Sequence, residues 1–116
     1  MNREEMLEAI LDAFPYPIVF ADTNHVIQYV NKFGRYHYHK DRGYPELVGR
    51  SLFDCHMYDT SREKIIECTK KLENHAMDIY LGITARNLRI YMNPVRDADG
   101  NLIGYFERFE LNLQKT

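Results

Sequence analysis

The sequence predicts an α+β domain built on a five-stranded antiparallel sheet, and three observations carry that expectation. An Asp99-Gly100 turn sits between two long β-prone runs, Leu88 to Val95 and Leu102 to Leu113, the strongest short-range signal of a hairpin. Helices and strands come in blocks: one helix, two strands, several short helices, one long helix, three strands. The 116 residues are the size of one domain, with enough apolar side chains for a single core.

Taken in order, residues 3–14 read as an amphipathic helix. Met6, Ile10, Ala13 and Phe14 recur at helical spacing, and Leu7 and Leu11 widen the stripe. Asn2 is the expected cap, Glu4 and Glu5 favour the first turn, and Pro15 and Pro17 stop the helix. Ile18 to Ala21 and Val26 to Val30 read as strands around the polar turn Asp22-Thr23-Asn24-His25. Asn31 ends the second strand and can cap the segment after it. Gly34, Gly43, Pro45 and Gly49 keep residues 32–58 short and irregular. Residues 60–73 form the longest helix, with Ile65, Ile66, Thr69 and Leu72 as its buried stripe; Asp59, Thr60 or Ser61 caps it, and Thr60 with Glu63 makes a capping box. Met77 to Ile83 is the third strand, before the closing hairpin.

Composition excludes several classes. A net charge of −2 with scattered Lys and Arg implies no nucleic-acid patch and no membrane steering. The apolar runs are too short to span a bilayer, and the N-terminus lacks a hydrophobic signal core, so a cytoplasmic location is expected. Cys55 and Cys68 are too few for a disulfide scaffold and fit no zinc spacing. No nucleophile–base pair, Gly-rich phosphate loop or GxSxG is present, so no enzyme is expected.

Pro94-Val95, the acidic-Gly turn and Gly104-Tyr105 together resemble the last two strands of the PAS sensor family. Asp22, Asn31 and Leu47-Val48-Gly49-Arg50 stand where PAS domains frequently carry the same residues. The resemblance covers residues 15–113. It implies the sheet order 2-1-5-4-3 with short helices on one face. It divides the chain into an N-terminal cap or dimerisation helix (1–14), a PAS domain (15–113) and a tail (114–116). Gly49-Arg50, followed at the family's spacing by Cys55-His56, is similar to a prokaryotic PAS subgroup with a Gly-Arg-x4-Cys-His signature, although Met57-Tyr58 replaces its usual Pro-Pro. The resemblance implies signal transduction. A small ligand or partner protein would bind in or beside a central apolar pocket, and the change would pass to an effector domain or to a protein in trans.

Pocket candidates are Tyr29, Phe33, Tyr36, His37, Phe53, Cys55, His56 and Tyr91, since aromatic side chains with polar tips suit small ligands; the competing reading is that they fill the core. Phe20, Tyr80 and Phe106 belong to the same aromatic supply. Cys55-His56 is either a reactive or ligating pair, or a core thiol beside a loop-bonding imidazole. His37 and His39 share a face only on an extended segment, and a metal there needs His56 or Asp41 as a third ligand. Haem-binding PAS domains often use a His in the long helix; residues 60–73 have none and His75 lies just beyond, so haem would need His37, His39 or His56. Ser51-Leu52-Phe53-Asp54 departs from the flavin-photosensing motif, so flavin is not supported. Met6, Ile10 and Phe14 are the expected homodimer face. A haem or metal redox sensor and a ligand-free dimerisation module are the alternatives to a ligand-binding sensor.

Overall fold

A computed structural model describes residues 1–36, 46–55, 61–74 and 77–113, the side chain of Cys55 excepted. Helix α1 (Arg3–Ala13) starts at Asn2, whose side chain accepts the Glu5 N–H at 2.8 Å, and ends as Phe14 turns extended ahead of Pro15. Strands β1 (Val19–Asp22) and β2 (Ile27–Val30) follow, then the short helices α2 (Lys32–Arg35) and α3 (Leu52–Cys55), the long helix α4 (Arg62–Glu73), and strands β3 (Ile79–Ile83), β4 (Leu88–Arg96) and β5 (Leu102–Leu111). All pairings are antiparallel and the order is β2-β1-β5-β4-β3.

The elements sit within two residues of their expected bounds, and two of the differences have local causes. The cap of α4 is Ser61, which accepts the Lys64 N–H at 3.2 Å; Thr60 lies outside the described residues. Strand β5 stops at Leu111 because Asn112 turns to Asn87: the Asn112 amide donates to Asn87 Oδ1 at 3.0 Å, and the Asn87 amide donates to the Asn112 backbone carbonyl at 3.2 Å.

The closing hairpin is the longest pairing, running from Leu88↔Leu111 to Arg96↔Leu102. Its turn is held by Asp97, which accepts from the backbone of Asp99 and Asn101, both at 2.9 Å; Gly100 takes the positive φ of 86° that the turn needs. Gly104 meets a different demand. A Cβ there would stand 2.2 Å from the Ala21 carbonyl oxygen and 2.5 Å from the Phe20 ring, so only glycine lets β1 and that ring lie across β5.

Alternation divides the sheet into two faces. Val19, Ala21, Ile27, Met92 and Tyr105 face α3 and α4, where they pack with Leu47, Leu52, Ile65, Cys68 and Leu72 to form the core. Arg96 fastens α4 to β4 by donating to the Leu72 carbonyl at 2.6 Å. The free side of β2 is covered by residues 49–52: Ile27 N–H donates to Arg50, Gly49 N–H to Ile27 and Leu52 N–H to His25. Among the described residues no helix is long and apolar enough to cross a membrane.

Candidate functional site

The β1–β2 turn carries one ring into the helix side of the sheet. Asp22 closes the turn by accepting from Asn24 N–H (2.9 Å), Val26 N–H (3.1 Å) and the Gln28 amide (2.9 Å). Its slight burial raises the carboxyl pKa, but these bonds outweigh that and hold it below the usual carboxylate range. His25 then takes a positive φ of 65°. Its Nδ1 lies 2.6 Å from the Tyr105 hydroxyl, eighty positions away in the chain. The imidazole also packs on Phe53 of α3 at 4.7 Å between centroids, and the Arg62 guanidinium of α4 caps that ring at 4.9 Å. Strand β5, the β1–β2 turn and both helices therefore meet at one cluster. Burial lowers the imidazole pKa, with Arg62 adding to the shift and Asp22 and Glu73 opposing it. The neutral ring is the favoured form, and its Nδ1 shares one hydrogen bond with the Tyr105 hydroxyl, whose direction follows the tautomer. Burial first, then the Glu107 carboxylate, pushes the Tyr105 hydroxyl far above its ordinary pKa, so it holds its proton.

A second polar junction lies at the base of α1. Asn31 is fully buried; its Oδ1 accepts from Ile18 N–H and Gly34 N–H, both at 2.8 Å, and its Nδ2 donates to the carbonyls of Leu11 and Tyr16, both at 3.0 Å. Asp12 adds bonds from Lys32 N–H (2.9 Å) and the Tyr29 hydroxyl (3.2 Å), with Arg35 at 3.6 Å. One end of α1 is thus fastened to β1, β2 and α2. The helix itself buries no residue: Met6, Leu7 and Ile10 are 45, 50 and 59% exposed.

An antiparallel sheet of order 2-1-5-4-3, with every helix after α1 inserted between its second and third strands, is a specific topology. The family profile for the PAS fold matches residues 5–110. The chain belongs to the PAS family. No curated protein matches it significantly. Among solved structures it is similar to a C-terminal domain from Streptococcus mutans, 22% identical with a TM-score of 0.65, covering 92% of this chain and 83% of that one. It is also similar to a sensory box sensor histidine kinase from Vibrio cholerae (12% identical, TM-score 0.57, 92% and 87% covered). The PAS domain of BvgS from Bordetella pertussis is a third (15% identical, TM-score 0.59, 97% and 88% covered). At these identities the likeness is one of fold.

In this PAS domain the pocket residues expected from sequence do not converge. Phe53 alone of the described candidates packs on the helix-side core. Tyr29 pairs with Phe20, and Tyr91 with Tyr80 and Arg108, so all of these point to the opposite face of the sheet. There Tyr29 reaches Asp12, and Tyr91 lies under the Arg108 guanidinium at 4.5 Å. Strand alternation is the reason, since Val19, Ala21 and Met92 take the inward positions beside them. Phe33 on α2 and Tyr36 at its C-cap are exposed. The expected dimer stripe divides as well: Met6 and Ile10 are open, whereas Phe14 packs on Tyr16 at 5.9 Å and Tyr16 stacks on Phe109. His37, His39, Asp41, His56, His75 and the Cys55 side chain lie outside the described residues. Among the described residues no group of His, Cys, Asp and Glu could hold a metal ion. His25 was legible only as a turn residue, because nothing local to it announces Tyr105; the Gly104-Tyr105 pair was the one available signal.

Proposed function

We propose that this PAS domain is a non-catalytic sensory module that works as a homodimer. A small ligand or partner protein acts on the helix side, and the change passes through the sheet to α1 and on to an effector, in the same polypeptide or in trans. The observation that carries this reading is the contrast along α1. Its base is fastened by Asn31 and Asp12 to the strands and to α2, while Met6, Leu7 and Ile10 of its apolar face are about half exposed. A terminal helix with such a face gains stability from a second surface, and a helix fixed at one end transmits small shifts of its anchor as a change of direction. The sensor histidine kinase of Vibrio cholerae supports an effector of the kinase type, by analogy of fold.

The cluster of His25, Phe53, Arg62 and Tyr105 supports the route from helices to sheet, since it touches α3, α4 and β5 at once. A ligand shifts the module only by its differential affinity for the two packings. Native mass spectrometry of protein from its source cells tests the reading, because it reports bound molecules and oligomeric state together. Dimers that carry a stoichiometric small molecule or a partner protein are expected. Monomers with nothing bound would contradict it.

A further inference from the structure

The β3–β4 hairpin and the first turn of α4 border a groove of about 640 Å3, lined by Ser61, Lys64, Leu81, Ile83, Thr84 and Ile90 among others. That is the volume of a small-molecule site. A bulge in β3 forms one wall, at Gly82, where φ is 135° and nothing lies within 4 Å of where a Cβ would stand. Ile90 is buried and Leu81 half-buried, so part of the lining is apolar.

The polar side chains of the lining are two hydroxyls and one ammonium. Ser61 Oγ already accepts the Lys64 N–H, and Thr84 Oγ1 accepts the N–H groups of Arg86 (3.1 Å) and Leu88 (3.2 Å). Each hydroxyl keeps its proton to give, and the Lys64 ammonium only donates. No carboxylate is among the described residues that line the groove. One positive charge, two hydroxyl donors and an apolar wall complement an anion of single charge with an acceptor-only head. We propose that this groove binds a small monocarboxylate with a short apolar body. A dianion would leave one charge uncompensated, and a neutral amide would leave the Lys64 ammonium without a counter-charge. The site rests on the sensory reading above and gives it a ligand class. Arg62, which contacts Phe53, lies in this same first turn between Ser61 and Lys64.

Titration of the full chain with hexanoate, followed by amide NMR, tests the site, with hexanamide as the neutral control. Saturable shifts are expected at Ser61, Lys64 and residues 81–85, with hexanoate roughly tenfold tighter than hexanamide. Lys64→Glu should weaken hexanoate by about tenfold or more. Lys70→Glu, exposed on the same helix and outside the groove, should leave affinity unchanged. The spectra report whether each variant is folded. Shifts that do not saturate, equal binding of hexanamide, or indifference to Lys64→Glu would overturn the site. If hexanoate fails while source-cell protein carries another molecule, the sensory reading stands and the groove does not. If hexanoate binds with no response at the amides of Met6 and Ile10, the site stands and the relay to α1 fails.

Discussion

The base of α1 and its outer face lie on one short helix and follow opposite rules. At the base, Asn31 is fully buried and makes four bonds of 2.8 to 3.0 Å, to α1, to the α1–β1 connection and to α2. On the outer face, Met6, Leu7 and Ile10 are about half exposed, and no residue of the helix is buried. Buried polar groups are costly unless fully bonded, and when fully bonded they specify a single geometry. Bare apolar side chains specify nothing until something covers them. The difference separates what this domain holds constant from what it leaves open to solvent.

The comparison breaks most severely at its fixed end. Asn31→Ala removes the cap of α2 and strands the buried N–H groups of Ile18 and Gly34, a loss of about 3 kcal/mol or more. Urea unfolding measures it; a loss under about 1 kcal/mol would mean that the base is not an anchor. Gly104→Ala comes next. The new Cβ meets the Ala21 carbonyl oxygen, which belongs to the backbone of a paired strand and cannot swing aside. Overpacking of this kind costs about 1–3 kcal/mol, and an unchanged urea midpoint would show that β1 yields.

The His25 cluster sharpens the comparison through pH. Burial lowers the imidazole pKa in the folded state below its ordinary 6.5. As pH falls through about 6.5 the unfolded chain takes up the proton first. The contribution of His25 is therefore whole above that pH and is lost as pH drops through the folded value. The urea midpoint should decline from about pH 7 to pH 5, and His25→Gln should flatten that part of the profile. Tyr105→Phe, which removes the hydroxyl at 2.6 Å, should cost about 1 kcal/mol at neutral pH. An identical slope in His25→Gln would assign the titration to other groups.

How much of this was legible in the sequence depends on the range of the interaction. The Asn2 cap, the Asp97–Gly100 turn and the alternation of β4 and β5 are local, and each was readable residue by residue. The importance of Asp22 and Asn31 was readable through the PAS resemblance, and their bonds supply the physical reason. The site was much less legible. Tyr29 and Tyr91 look like pocket residues because they are aromatic, but facing is set by register, and in β1 and β2 a bulge between Phe20 and Ala21 shifts that register. The pairing of His25 with Tyr105 spans most of the chain, and the polar groups of the groove lie in separate segments that the docking of α4 on the hairpin brings together.

The smallest expected effect on folding accompanies the most direct test. Ile10→Glu places a charge on a side chain that is 59% exposed, so the urea midpoint should move by no more than about 0.5 kcal/mol equivalent. Self-association should respond far more strongly, because a lone carboxylate in a closed apolar interface has no partner. Sedimentation velocity at micromolar to high micromolar concentration measures this directly. A dimer for the unaltered chain and a monomer for Ile10→Glu are predicted. A monomeric unaltered chain, or a dimer that survives the substitution, would contradict the claim that the open face of α1 is where this PAS domain meets its second copy.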